Sequence, residues 1–287
     1  MVRFSKLPFR RLVREYGVDV AFTPMILAKE FKNSSFARDS DFTTVPEDKP
    51  LVIQFAATNP NDLAAAAELA APWVDAVDIN CGCPQRWAIQ ERIGAHLMTE
   101  PELVRDMVRE VRARANIPCS IKIRSTGDDR KTIEFVQRAE KVGAEWITIH
   151  GRTRTQRPSN PADQDVMKLV KENVQVPVIA NGDVFTKEDA DRLVAYTGVD
   201  GVMSARGLQA NPALFSGAPY TPKACVERYV QLALQSGTTS FIFHHHLMDM
   251  LEGTMAKADL RTFNGLSSIP AMLDFLEETY GYDFTER

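Results

Sequence analysis

The sequence predicts an α/β protein, a TIM (β/α)8 barrel, followed by a small all-α domain. Three observations carry that expectation. Short β-rich apolar runs alternate with amphipathic helical stretches as far as Phe215, the pattern of a parallel sheet with crossover helices. Polar residues stand at the C-terminal ends of most of those runs, where such barrels build their sites. Beyond Gly217 only helical patterns remain.

Taken in order, Leu7–Tyr16 reads as a first helix. The strand runs are Val18–Thr23, Leu51–Phe55, Ala76–Asn80, Cys119–Arg124, Trp146–His150, Val176–Asn181 and Gly201–Ala205. Between them, Asn61–Ala71, Pro101–Ala115, Lys131–Val142, Asp163–Glu172 and Lys187–Ala195 read as helices, with Thr99 and Thr186 placed to cap two of them. Seven strands are visible where the barrel needs eight. The first strand should precede Leu7–Tyr16, yet Met1-Val2-Arg3-Phe4 reads as the loop that follows it. The expectation is therefore a polypeptide that begins late, with its first strand missing. Gly217-Ala218-Pro219-Tyr220-Thr221-Pro222 is linker-like. It divides a barrel over residues 1–217 from a helical domain over 218–287, whose helices are Ala224–Gln235, Phe241–Met255 and Ile269–Tyr280.

Composition narrows the class. No apolar run approaches the roughly 20 residues that span a bilayer, and the N-terminus lacks the apolar core of a signal peptide. Four irregularly spaced cysteines do not make a secreted disulfide framework. The reading is a soluble intracellular protein without a membrane partner, cytoplasmic with the nucleus as the alternative; a monomer is expected. A formal net charge of -4 permits an RNA partner without arguing for one, although Arg3, Lys6, Arg10, Arg11 and Arg14 crowd the start and Arg152, Arg154 and Arg157 share a loop.

The strand ends present Thr23-Pro24-Met25, Gln54, Asn80 with Cys83, Lys122 with Arg124, His150 with Arg152, Asn181-Gly182-Asp183 and Ala205-Arg206-Gly207. Each alone is an ordinary strand-end residue; together they describe an active site. The last two loops, with Leu208–Phe215 as a short extra helix, occupy the place where these barrels bind phosphate. Lys122 emerges between Ile121 and Ile123, where its cation can stabilise negative charge developing on a bound ring or a substrate enolate. His150 can donate a hydrogen bond to either, and Gln54 offers a donor and an acceptor to a planar heterocycle.

The stretch Asp75–Pro84 runs a buried strand into an abrupt turn that presents Cys83. One C-x-C without a second ligand pair makes a poor metal site, so no metal is expected. A buried inert thiol fits a Gly-Cys-Pro turn poorly, and a nucleophile needs a base that sequence does not show. A protonated thiol delivering one proton to carbon needs only position, and that role is favoured. Cys81, Cys119 and Cys225 read as structural. His244-His245-His246, about 100° apart on a helix, read as one packed and two surface histidines.

Asn80-Cys81-Gly82-Cys83-Pro84 has the form Asn-x-Gly-Cys-Pro, and it resembles the active-site motif of the tRNA-dihydrouridine synthases. Ser5-Lys6-Leu7-Pro8-Phe9-Arg10, Gln54-Phe55, Ser120-Ile121-Lys122-Ile123-Arg124, His150-Gly151-Arg152-Thr153, Asn181-Gly182-Asp183 and Ala205-Arg206 match the family in order and spacing. The resemblance implies FMN held by Met1, Val2, Gln54, Lys122 and His150 at the ring. Asn181, Gly182, Asp183, Ala205 and Arg206 would hold it at the phosphate. It further implies NADPH or NADH as reductant, Cys83 as catalytic acid, a tRNA partner, and Asn80, Arg124 and Arg152 facing substrate. Asn80-Cys81-Gly82-Cys83-Pro84-Gln85-Arg86-Trp87 most resembles the eukaryotic branch acting at D-loop positions 20a and 20b. Two departures stand out: the absent first strand, and bulkier residues in Glu91-Arg92-Ile93-Gly94-Ala95 where the branch carries Gly and an aromatic. The rival readings are an FMN barrel of the dihydroorotate dehydrogenase kind acting on a free pyrimidine, and a flavin-free tRNA-binding protein.

Overall fold

The computed structural model describes residues 3–285, so Met1 and Val2, expected beside a flavin, lie outside the described residues. Two compact units are present. One spans residues 22–184 and 189–204; the other takes the described residues of 1–21, 185–188 and 205–287.

The first unit holds a sheet of seven strands among the described residues: β1 Ala21–Leu27, β2 Leu51–Ala56, β3 Ala76–Asn80, β4 Cys119–Arg124, β5 Ile147–His150, β6 Val178–Asn181 and β7 Gly201–Met203. Their order in space is their order in sequence. From β2 to β7 every neighbouring pair is parallel. Parallel neighbours require crossovers. Helices at Pro60–Ala70, Pro101–Ala115, Asp129–Lys141 and Gln164–Asn173 supply them within this unit. Asn59, Asp128 and Asp163 start three of these helices by accepting backbone N–H groups of the first turn.

Register decides what the sheet presents. Asp78 pairs with Ser120, Asn80 with Lys122 and Lys122 with Thr148, while Arg124 pairs with His150 and His150 with Asn181. Successive side chains point to opposite faces. One face therefore carries Gln54, Asp78, Asn80, Ser120, Lys122, Thr148 and His150. The other carries Val77, Ile79, Ile121, Ile123, Ile147 and Ile149, all fully buried. The alternation in Cys119–Arg124 already shows this division.

Boundaries moved where local chemistry overrode the pattern. The expected strand Val18–Thr23 is found at Ala21–Leu27 and runs through Pro24. A proline is tolerated there because β1 ends the strand order. The last strand stops at Met203, and Ala205 instead precedes a helix at Arg206–Ala210. Thr99 does not cap the helix Pro101–Ala115. It ends a 3-10 helix, Gly94–Thr99, that runs into the next one, and its hydroxyl donates to the His96 carbonyl at 2.8 Å. Three short helices, Ala28–Asn33, Ser35–Asp41 and Arg86–Gln90, fell below the reach of periodicity.

The second unit is helical: Leu7–Glu15, Arg206–Ala210, Lys223–Gln235, Ser240–Leu251, Lys257–Asn264 and Ile269–Tyr280. The helix expected at Leu208–Phe215 is broken. Pro212 lacks an N–H to continue it, Asn211 Oδ1 accepts from Ala213 N at 3.1 Å, and only a 3-10 turn, Leu214–Ser216, follows. The expected Phe241–Met255 ends at Leu251, and Lys257–Asn264 is an additional helix. Leu7–Glu15 belongs to this unit, where Glu15 accepts Nε and Nη2 of Arg228 at 3.0 and 2.8 Å.

Candidate active site

The site grows out of one fully buried carboxylate. Asp78 accepts the Ser120 hydroxyl at 2.7 Å and Gln54 Nε2 at 2.7 Å. Burial raises its pKa to about 6, against the opposing pull of those two hydrogen bonds and of the Lys122 charge. A carboxylate only accepts, so Gln54 must turn its NH2 toward Asp78 and its Oε1 away. That Oε1 accepts Asn80 Nδ2 at 2.8 Å. Asn80 is then left with Oδ1 pointing into the turn, where it accepts Gly82 N at 3.1 Å and Cys83 N at 2.9 Å. The direction of every bond in this chain follows from its first member. Thr23 closes the other side, its hydroxyl accepting Gln54 N at 3.0 Å.

The turn that carries Cys83 is clamped from three directions besides. Cys81 N donates to the Lys122 carbonyl at 2.8 Å, and Arg124 Nε donates to the Gly82 carbonyl at 2.7 Å. Ala95 N donates to the Cys83 carbonyl at 2.9 Å. Gly94, at φ +62°, lies so close that a Cβ there would sit 2.7 Å from the Cys83 carbonyl oxygen and 2.8 Å from Cys83 Cβ. Beside the turn, Ala56, Ala88 and Ile93 form an apolar cluster against which Met25 and Cys83 pack. Cys83 is half-buried and free, whereas Cys81, Cys119 and Cys225 are free and buried. Burial pushes the Cys81 and Cys119 thiols well up, aided by the Asp78 charge, which keeps them protonated and inert.

Lys122 donates to Asn181 Oδ1 at 2.9 Å, and Asn181 Nδ2 donates to the Met203 carbonyl at 2.8 Å, tying β4 to β6 and β7. Burial lowers Lys122 to about 8, with Asp78 opposing that shift and Arg124 adding to it. His150 is pushed far below the usual histidine range by burial and by the cations Lys122, Arg124 and Arg152. The ring is neutral at neutral pH. Its Nδ1 accepts Arg152 N at 3.3 Å, which places the proton on Nε2. Gly182, at φ +131°, lies next to it: a Cβ there would be 3.7 Å from His150 Nε2 and 2.7 Å from Ala162 Cβ.

Arg152 is buried and committed to its own loop. It donates to Asn160 O at 2.6 Å, to Pro158 O at 3.1 Å and to both oxygens of Asp183. The Asp183 carboxylate also accepts Ala162 N at 2.8 Å, so this acid acts as a loop anchor. Arg124 reaches Thr153 O at 3.0 Å as well as Gly82. In the helical unit, Ala205 precedes the helix Arg206–Ala210, and the exposed Arg206 guanidinium lies 5.3 Å from the centre of the Phe185 ring.

Sequence reasoning missed Asp78 and Ser120. The signal was present in Ala-Val-Asp-Ile-Asn: a carboxylate two residues before Asn80 on a strand must share its face. No group of His, Cys, Asp and Glu among the described residues could hold a metal ion, and no helix among them is long and apolar enough to cross a membrane.

A parallel α/β sheet whose polar face assembles a presented thiol, a lysine of lowered pKa and oriented amides has the makings of an enzyme site. The family can be stated outright: the dihydrouridine synthase (Dus) profile matches residues 1–265, and this chain belongs to that family. Over 284 residues it is 49% identical to a Homo sapiens protein named tRNA-dihydrouridine(20a/20b) synthase [NAD(P)+]-like, covering 98% of this chain and 89% of that one. It is 44% identical over 282 residues to the Schizosaccharomyces pombe tRNA-dihydrouridine(20a/20b) synthase [NAD(P)+], with 98% and 86% covered. A Rattus norvegicus tRNA-dihydrouridine(16/17) synthase [NAD(P)(+)]-like protein is 33% identical over 285 residues, covering 95% of this chain and 65% of that protein.

Proposed function

We propose that this chain is a tRNA-dihydrouridine synthase that reduces the C5=C6 bond of uridine at D-loop positions 20a and 20b, using FMN and a nicotinamide dinucleotide. Higher identity to the 20a/20b proteins than to the 16/17 protein supports the choice of position. The fold that goes with this reading is a TIM-like barrel followed by a tRNA-binding helical domain.

The observation that carries the reading is the bond chain Asp78–Gln54–Asn80–Cys83, which presents one half-buried thiol beside Lys122. The donor set suits a flavin ring. Gln54 keeps one N–H and one lone pair beyond those used, Lys122 has two further N–H groups, and His150 Nε2 is a donor. Gly182, with no side chain, leaves room for a phosphate to approach the backbone. Bound FMN would supply, from the dinucleotide, the hydride for C6 of uracil. Cys83 then gives its proton to C5, and the resulting thiolate is reprotonated from water. Lys122 holds positive charge where negative charge develops, and Gln54 and His150 orient the ring. The reacting base must leave its stack for the thiol to reach C5.

Mass mapping of dihydrouridine in tRNA, after incubation with protein, FMN and NADPH, tests the proposal. Cys83→Ala should lower the rate by about 10²–10⁴, the usual worth of a positioned acid. Undiminished product from that variant refutes the acid role. Turnover on a free pyrimidine with none on tRNA refutes the substrate.

A further inference from the structure

Beside the Cys83 turn lies an open cavity of about 430 Å³ that the chemistry above does not use. Its charged lining is four cations, Arg124, Lys131, Arg138 and Arg154, against the single carboxylate of Glu134. Glu134 already accepts Arg130 Nε at 3.0 Å. Arg138 is paired with Glu102 at 2.7 Å, but the carboxylate nearest Lys131, Asp128, is 3.9 Å away. Arg154 makes no hydrogen bond or ion pair among the described residues. Arg124 uses Nε and Nη1 on Gly82 and Thr153, leaving Nη2 unengaged. Burial and the neighbouring Arg152 already disfavour the charge on Arg124, and an anion in the cavity relieves that cost. Scattered solvated arginines are common on any surface. These converge on a concavity.

Placement decides what the anion is. Ala95 lines the cavity, and its N–H holds the Cys83 carbonyl at 2.9 Å. Arg124 lines it too and holds Gly82. Two residues of the cavity wall thus brace the turn that carries the thiol. Any polynucleotide that brings a base to Cys83 carries its own sugar-phosphate past this wall. We propose that the cavity takes a backbone phosphodiester of the RNA strand adjoining the reacting nucleotide, with Arg154 and Lys131 as the donors that close on it. This inference rests on the tRNA reading above.

The test is tRNA affinity of the FMN-loaded full chain measured across a range of salt, for the unsubstituted protein, Arg154→Ala, Lys131→Ala and the double variant. Both side chains are exposed, so melting temperatures should not change. Each substitution should weaken binding several-fold at low salt and reduce the slope of log affinity against log salt by about one. The Michaelis constant for NADPH should stay where it is. An unchanged slope overturns the inference, as does a raised NADPH constant with unaltered tRNA affinity, which would give the cavity to the dinucleotide. If the unsubstituted protein binds no tRNA, both this inference and the functional reading fail. If it binds tRNA and the double variant binds it identically, the cavity assignment alone fails.

Discussion

Two buried polar clusters, one in each unit, solve the same problem in opposite ways. Around Asp78 the donors and acceptors are matched: Ser120, Gln54, Asn80 and the turn N–H groups form one connected chain. Around His246, in the helical unit, no side chain among the described residues gives the ring a hydrogen bond, its one such contact being to the Phe4 backbone, and the Tyr229 hydroxyl has no partner. His246 is held instead by rings: stacked on Phe9 at 4.5 Å, edge-on to Phe4 at 5.7 Å and tilted against Tyr229 at 5.2 Å. The first cluster fixes directions, because each hydrogen bond admits one orientation of the next group. The second fixes chiefly volume. A site that must aim a thiol needs the first kind; a helical packing core tolerates the second.

The clusters also respond oppositely to acid. Asp78 has its pKa raised to about 6, so the folded state binds the extra proton between about pH 4 and 6, and stability falls as pH rises through that window. Burial lowers His246 to about 4, against a backbone hydrogen bond to Phe4 and with a smaller push from His245, so the unfolded state binds the extra proton between about pH 4 and 6.5. Its contribution falls as pH drops through that window.

The largest expected break of the comparison is Asn80→Ala. It removes the acceptor for Gly82 N and Cys83 N, and a thiol displaced by about 1 Å loses roughly a hundredfold in dihydrouridine formation. The alkylation rate of Cys83 should change with it, which loss of substrate binding alone would not produce. Next is Asp78→Asn, which keeps the shape and deletes the charge. The downward slope of melting temperature between pH 4 and 6 should vanish, recovering part of about 3 kcal/mol at pH 7. If the slope persists, Asp78 is not its source. The smallest effect is His246→Leu. It should flatten the acid-side loss of the helical unit, by about 1 kcal/mol at pH 5.5 relative to the same variant at pH 7.5. An unaltered acid limb would show that the ring is not the group titrating.

What could be read from sequence follows the same division. Lys122 and Asn80 are legible as site residues from their place at the C-terminal ends of Cys119–Arg124 and Ala76–Asn80, because strand ends need no tertiary information; that they share a face follows only from the register. Asp78 escaped, since its importance arises only when register sets it beside Ser120 and Gln54. Gly94 was legible as a glycine in the loop, yet its need for φ > 0 and its contact with Cys83 depend on a fold-back that spacing does not encode. In the triplet His244-His245-His246 the one packed residue expected is His246, but the two expected at the surface are half-buried: His244 stacks on Phe263 at 5.7 Å and His245 lies 4.1 Å from the Phe241 ring. The break at Pro212 went unread because Leu208–Phe215 looked continuous in hydrophobicity, although a proline lacks the N–H that a helix interior requires.

Ser120 has a consequence of its own. A serine hydroxyl both gives and receives, and its hydrogen swings freely about the C–O bond. When Asp78 takes up a proton below about pH 6, that proton can sit on the oxygen facing Ser120, and the hydroxyl swivels to receive it. Gln54 and Asn80 need not turn. Acidification can therefore alter the electric field at Lys122 while the thiol stays aimed. Charge and aim at this site are governed by separate atoms of one carboxyl group.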